Sequence, residues 1–391
     1  MRYRRFGKTN LQLSVFSLGT MRYLVSEDNA QQTIQQAVAL GINHLETARG
    51  YGKSEQYLGA ALRAGLPVPR SQLQITSKIP PVADADTMRR YIDESLERLG
   101  LDYLDCLAIH GLNTWEHLDW VQRVDGCMQA VQAAVADGRV RHVGFSTHGP
   151  LEVILAAINT DLFEFVNLHY YYFFQRQALA IQMAQEKDLG VFIISPADKG
   201  GRLYTPPSTL KDLCYPFSPL ELNYRFLLSD PRITTLSVGP ANPDELTVPL
   251  SLLNESQGAA SGGTLSVADQ DDSLTPLEVE VLQRLETQAD VALGADRCSQ
   301  CYACLPCPEN IQIPEVLRLR NLAVAYNMNE YSKYRYQMFE NAGHWFPGVK
   351  GNRCSQCGDC LPRCPEQLNI PTLLADAHQR LNGSAGRRLW E

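Results

Sequence analysis

The chain has 391 residues, a net charge of −8 and 45% hydrophobic residues, enough for one large domain with its own core and a smaller one beside it. The acidic balance and the lack of any long basic tract argue against nucleic acid as a partner, and no run approaches the ~18 apolar residues of a membrane span. The N-terminal "MRYRRFGKTNLQLSVFSLG" is basic, but polar residues interrupt its apolar stretch, so it does not read as a cleaved signal and a cytoplasmic protein is expected.

Eight short apolar runs follow one another over the first 250 residues: "VFSLGTM", "INHLET", "LQITSKI", "DCLAIH", "RHVGFST", "FVNLHYYY", "VFIISPA" and "TTLSVGP". Helical patterns separate them, over 28–40, 53–63, 86–99, 120–136, 150–159, 177–188, 219–228 and 243–253. Gly41, Gly100, Gly138 and Gly190 follow four of these helices, where a left-handed cap ends the turn. Eight βα units predict a closed parallel (β/α)8 TIM barrel. The alternative is an open doubly wound sheet, but no Gly-x-Gly-x-x-Gly follows the first strand.

In such a barrel the chemistry sits at the C-terminal ends of the strands. The second strand ends at Glu46, with Tyr51 in the loop after it; the third ends at Lys78 and the fourth at His110. A tyrosine ordinarily titrates near ~10, and the Lys78 ammonium is expected to lower that value. Glu46 would hold Lys78, and His110 would hydrogen-bond a substrate oxygen. Together they make a general acid for a carbonyl that receives a hydride. The plainer alternative is an inward Lys–Glu pair that only fills the barrel.

"HLETARGYGKSEQYLG", "ITSK" and "LAIH" resemble the aldo-keto reductases, whose catalytic tetrad is Asp, Tyr, Lys and His. The resemblance covers residues 1–253 and implies that Glu46, Tyr51, Lys78 and His110 are the tetrad. Through "GFSTHG", "NLHYYYF", "SPADKGG" and "SVGP" it also implies that Ser146, Asn167, Ser195, Lys199 and Gly239 face a nicotinamide cofactor. Three departures stand out. Glu46 replaces the usual Asp, and Ile194 stands where many members place an aromatic ring. "SVGPANPDEL" carries Asp244 and Glu245 instead of the basic clamp for the 2′-phosphate of NADP, which leaves NADP(H) and NAD(H) both open. Arg22 and Arg49 should lie near the mouth, where two guanidiniums suit the carboxylate or phosphate of an anionic small-molecule substrate. Otherwise they pair with acids of the protein.

"NESQGAASGGTLSVADQDDSLTP", 254–276, reads as a mobile linker, and "PLEVEVLQRLETQADVAL" as a connecting helix. The expected parts are therefore a barrel over 1–253, a linker and helix over 254–295, and a cysteine module over 296–391. Eight of the eleven cysteines lie in that module. Cys106, Cys127 and Cys214 read as small buried thiols. Cys354, Cys357, Cys360 and Cys364 follow C-x2-C-x2-C-x3-C-P, the bacterial ferredoxin spacing, whose fourth cysteine ligates the other cluster. Cys298, Cys301, Cys304 and Cys307 repeat the phrase with the last gap one residue shorter. Two [4Fe–4S] clusters are expected, one on Cys298, Cys301, Cys304 and Cys364, the other on Cys354, Cys357, Cys360 and Cys307. Two four-cysteine zinc sites are the alternative, though zinc pairs are usually separated by a longer loop. The segment between the runs, with Leu317, Val324 and Tyr331 at heptad spacing, predicts a helical ferredoxin-like module. Barrel and module together resemble aldo-keto reductases with a C-terminal 4Fe–4S ferredoxin-type domain.

The two halves differ in how they carry electrons. A nicotinamide moves two as a hydride and a cluster moves one; a flavin is the usual mediator, and no flavin motif is evident. The leading reading is an oxidoreductase that reduces a carbonyl with electrons passed through the clusters. The alternatives are a plain NAD(P)H-dependent reductase with structural clusters and a catalytically silent nucleotide-sensing or docking protein. From Asp296 on, eleven Lys and Arg face nine Asp and Glu, and Lys350, Arg353 and Arg363 surround the second cysteine run. An acidic ferredoxin or flavodoxin is the carrier such a face would attract.

Overall fold

Tyr3–Arg5 (β1) and Gln12–Ser14 (β2) pair antiparallel ahead of everything else. This hairpin is too short and too polar to show in a strand pattern. The next eight strands fall on the eight apolar runs: Phe16–Gly19 (β3), His44–Glu46 (β4), Gln74–Ile79 (β5), Leu104–His110 (β6), Val140–Ser146 (β7), Phe165–Leu168 (β8), Gly190–Ile193 (β9) and Thr235–Val238 (β10). They close a parallel barrel in chain order, with β10 returning to pair with β3. Strands covered on both faces lose the alternation of polar and apolar residues, which is why they read as continuous apolar runs. The computed structural model describes residues 1–255 and 272–383, so most of the segment expected to be a mobile linker lies outside the described residues.

The register brings chemistry-bearing side chains level at one end. His110 pairs with Ser146 across β6–β7, and Ser146 pairs with Asn167 across β7–β8. Toward the opposite end, Phe6 packs with Leu13, Cys106, Ala108, Phe165 and Phe192. Its ring lies 5.1 Å from that of Phe165.

Three local expectations are corrected. Gly41, Gly100 and Gly138 have φ of 90°, 64° and 85°, but Gly190 is no cap: it opens β9, and Asp188 takes the left-handed turn before it, with φ 54°. Gly190 is glycine for space, since a Cβ there would sit 2.2 Å from Phe6 Cδ2. The helix expected over 120–136 is two helices, Trp115–Gln122 and Cys127–Ala136. The chain turns between them at Gly126, where a Cβ would meet the Trp120 carbonyl oxygen at 2.0 Å. A short helix at Ser208–Cys214 had no periodic signal to announce it.

Contacts divide the chain into Met1–Gly200 with Asn223–Ser273, and Gly201–Leu222 with Leu274–Glu391. A single cut at residue 253 therefore misses that 201–222 groups with the C-terminal unit. In that unit Pro276–Leu293 starts on a capping box: Thr275 Oγ1 accepts from the Glu278 amide, and the Glu278 carboxylate accepts from the Thr275 amide. The heptad pattern resolves into two helices, Ile313–Tyr326 and Asn329–Met338, separated by Asn327 in the left-handed region. The first is buried nearly all round. It keeps Arg318 inside by pairing it with Glu315. Cys106, Cys127 and Cys214 are buried. No helix among the described residues is long and apolar enough to cross a membrane.

Candidate functional site

Glu46 ends β4 and Lys78 stands one residue before the end of β5, so both side chains project into the barrel near its C-terminal mouth. They form an ion pair that is almost wholly shut off from water. Glu46 Oε1 also accepts a hydrogen bond of 2.9 Å from Asn167 Nδ2. The longer acid thus bridges Lys78 and Asn167. The Lys78 ammonium lies 4.7 Å from the centroid of the Tyr51 ring. The His110 imidazole meets the same ring edge-on at 5.6 Å.

These contacts set the protonation states. Burial opposes charge on Lys78, but Glu46 and Tyr51 outweigh it and hold the ammonium above its ordinary value. Burial is also the largest influence on Tyr51. It raises the phenol despite the opposing pull of Lys78, so the expectation of a lowered value is corrected: desolvation outweighs the ammonium. His110 is driven well below its ordinary value, first by burial and then by Lys78 and Lys199. At neutral pH the set is an ammonium, a protonated phenol and a neutral imidazole.

The residues expected near a cofactor divide into two groups. Ser146 and Asn167 are buried at the ends of β7 and β8. Asn167 Nδ2 is spent on Glu46 while Oδ1 has no partner, so an acceptor is left over in a polar recess. Ser195 takes a left-handed φ of 54° and accepts the Lys199 amide at 3.0 Å. The Lys199 ammonium lies 3.4 Å from His148 Nε2, which lies 3.3 Å from His169 Nε2. His148 and His169 went unnoticed in the sequence, although each stands one or two residues past a strand end, in "THG" and "LHY". The Gly239 carbonyl accepts from Arg22 Nη1 at 2.8 Å. Arg22 also grips the Glu245 carboxylate, at 2.7 and 3.2 Å. Arg49 pairs with Glu94 at 2.5 Å and covers the Tyr91 ring. Both arginines considered for an anionic substrate therefore have acid partners.

The C-terminal unit holds two small cavities. Cys298, Cys301, Cys304 and Cys364 line the first, and Cys307, Cys354, Cys357 and Cys360 the second. Each takes three cysteines from one run and the last cysteine of the other. A zinc ion needs its donors to converge within about 2.3 Å of one point. Among the described residues no group of three or more His, Cys, Asp or Glu is arranged to hold a single ion, whereas four thiols line each cavity in the ligand spacing of a cubane.

A model of the aldo/keto reductase family matches residues 15–256, more than half of the chain. The chain belongs to the aldo/keto reductase family. A model of a 4Fe–4S dicluster domain matches residues 297–369, so this family member carries an iron–sulfur domain behind its barrel. L-galactose dehydrogenase of Arabidopsis thaliana is 37% identical over 162 residues, which span 38% of this chain and 49% of that protein. L-glyceraldehyde 3-phosphate reductase of Escherichia coli is 28% identical over 166 residues, 38% of this chain and 46% of that one. The chain thus spans about half the length of these curated relatives. Among solved structures, the holo form of aldo-keto reductase AKR11C1 from Bacillus halodurans superposes with a TM-score of 0.60 at 21% identity, over 73% of this chain and 96% of that one, a likeness of fold.

The Glu46–Lys78 pair gives this aldo/keto reductase a measurable weak point. Removing one member of a buried ion pair strands the other charge, at a cost of about 3–5 kcal/mol. Glu46→Ala is expected to lower the denaturation midpoint accordingly, whereas Asp86→Ala, in an exposed ion pair with Arg89, is not. Equal midpoints in chemical denaturation would show that Lys78 is not held by Glu46.

Proposed function

We propose that the chain is an oxidoreductase that interconverts a carbonyl and an alcohol on a small-molecule substrate at the barrel mouth, with electrons passing through two [4Fe–4S] clusters. The Glu46–Lys78–Tyr51–His110 set carries this reading. Tyr51 keeps its proton at neutral pH because burial raises the phenol, so it has a proton to give to a substrate oxygen. Lys78, held charged by Glu46, steadies the phenolate left behind. His110, neutral, can donate a hydrogen bond to the same oxygen and fix its direction. Glu46 is the hub that holds Lys78 and Asn167 together.

A bound nicotinamide would move two electrons as a hydride, and each cluster would move one. The leftover Oδ1 of Asn167, beside Ser146, fits the amide N–H of a nicotinamide carboxamide. That observation favours a second reading, a plain nicotinamide-dependent reductase with structural clusters. For the first reading, two clusters supply together the two electrons a carbonyl takes up, and two protons go with them: Tyr51 gives one to the oxygen, and water at the mouth gives the other to the carbon and restores the Tyr51 proton. The relatives' activities make L-galactose, tried for oxidation, and L-glyceraldehyde 3-phosphate, tried for reduction, the first substrates to test.

Lys350, Arg353 and Arg363 were expected to attract an acidic carrier. Arg353 pairs with Glu340 at 2.9 Å, and Lys350 Nζ donates to Gln337 at 2.7 Å. Arg363 lines the second cysteine cavity. The positive face is thus narrower than the sequence suggests. The deciding experiment is anaerobic stopped-flow mixing of the reduced protein with substrate in the absence of nicotinamide, the protein having been reduced by ferredoxin or flavodoxin. Oxidation of the clusters on mixing supports the first reading; clusters that stay reduced leave the second. Calorimetry with NADPH and NADH belongs beside it. With Asp244 and Glu245 in the loop after β10, and Arg22 already on Glu245, no strong preference for NADPH is expected. A large NADPH preference would mean that another loop supplies the basic clamp.

A further inference from the structure

The two cysteine runs are near-copies, and their differences are few enough to weigh one by one. "CSQCYACLPCPE" and "CSQCGDCLPRCPE" align with one insertion, Arg363, between the Leu-Pro pair and the last cysteine. Their backbones also correspond. Gln300 and Gln356 both take left-handed φ, 58° and 59°. Two residues further on, Tyr302 and Gly358 do the same, at 64° and 81°. Glu309 and Glu366 each line the cavity that takes the cysteine two residues before them, so these charges match.

Three differences remain: Asp359 stands where the first run has Ala303 but is exposed and does not line the cavity, and the other two lie one on each cavity. Arg363 lines the cavity of Cys307, Cys354, Cys357 and Cys360, anchored through hydrogen bonds of 2.8 Å to the Asp359 carbonyl and 3.0 Å to the Pro306 carbonyl. The other cavity has no corresponding cation among its lining residues. Tyr302 lines the cavity of Cys298, Cys301, Cys304 and Cys364. A left-handed backbone is an outlier for a bulky residue, and glycine occupies the matching position of the second run. At Gly358 a Cβ would meet nothing nearer than Leu361 Cδ1 at 3.9 Å, so that side is open.

Adding one electron to a cluster adds one negative charge. A fixed cation beside it stabilises the reduced state, and a ring that keeps water away destabilises it. The two differences that line the cavities act in the same direction, and the Asp359 carboxylate, which opposes them, is exposed and screened by water. We propose that the two clusters are inequivalent, the one on Cys307, Cys354, Cys357 and Cys360 being the more easily reduced because Arg363 faces it and Tyr302 shields the other. Between the two, a single electron then passes from the cluster on Cys298, Cys301, Cys304 and Cys364, which is oxidised by one, to the cluster beside Arg363, which is reduced by one. This rests on the assignment of two cubanes, and iron and acid-labile sulfide analysis of the anaerobic full chain tests that assignment separately.

The test is a redox titration of the loaded full chain followed by electron paramagnetic resonance. The wild type is expected to show two one-electron steps. Arg363→Gln lowers the upper step and leaves the lower in place; Arg363→Lys, which keeps the charge, restores it. Tyr302→Gly raises the lower step and leaves the upper in place. A single common potential overturns the proposal, as does an upper step indifferent to Arg363→Gln or a Tyr302→Gly variant that moves the upper step instead. A chain that holds zinc without labile sulfide overturns the proposal together with its premise, and the metal analysis shows that before any titration.

Discussion

Tyr51→Phe lowers the rate of carbonyl reduction by about 10²–10⁴-fold, the usual worth of a positioned general acid, and leaves nucleotide affinity nearly unchanged. The substitution removes one hydroxyl and keeps the ring, so the edge-on contact with His110 and the ammonium face toward Lys78 both survive. Steady-state rates with a small aldehyde, together with calorimetry for the nucleotide, measure the two halves of the statement. The pH profile adds a sign. Reduction needs the protonated phenol, and burial raises the Tyr51 value. The wild-type rate should therefore hold through neutral pH and fall only above about 10, the ordinary tyrosine value. His110, already neutral, contributes no fall near pH 6.5. A Phe variant with the full rate would move the chemistry elsewhere in the mouth.

Cys364→Ser empties the site of the first cysteine run, not of the run in which it lies. Cys364 lines the cavity of Cys298, Cys301 and Cys304, whereas its sequence neighbours Cys354, Cys357 and Cys360 line the other. Paired substitutions expose this directly, because changes at one site are non-additive and changes at separate sites add. Cys364→Ser with Cys298→Ser should cost no more iron and sulfide than either alone, about half of the total. Cys364→Ser with Cys354→Ser should remove nearly all of it. The reverse pattern would mean that each run holds its own cluster and that the crossing is wrong.

Much of the barrel was legible because its strands are buried on both faces and punctuated by polar loops, so Phe16–Gly19 or Leu104–His110 stand out as apolar blocks. The β1–β2 hairpin was not, since its three-residue strands carry Arg and Gln and owe their place to the barrel they cap. The positions of Glu46, Tyr51, Lys78 and His110 could be read at strand ends, but not the balance of forces on Tyr51. Depth in the protein decides that balance, and sequence spacing does not report depth. His148 and His169 were missed for another reason. A histidine after a strand is common, and what sets these two apart is that β7 and β8 are neighbours, which brings their ring centroids to 4.3 Å. The cysteine module was the most readable part, because ligand spacing is dictated by a rigid object of fixed size.

The Phe6 cluster makes the barrel a vessel with one opening. With Leu13, Phe165 and Phe192 it forms an apolar stopper across the floor. Apolar side chains close that end, so a proton spent in the reaction is expected to be replenished through the same mouth by which substrate enters and product leaves. Resupply and exchange of substrate then share one doorway, and a molecule seated there keeps Tyr51 from recharging until it departs. The order of events in each cycle is thereby imposed from the far end of the barrel, by residues that never touch the reactants.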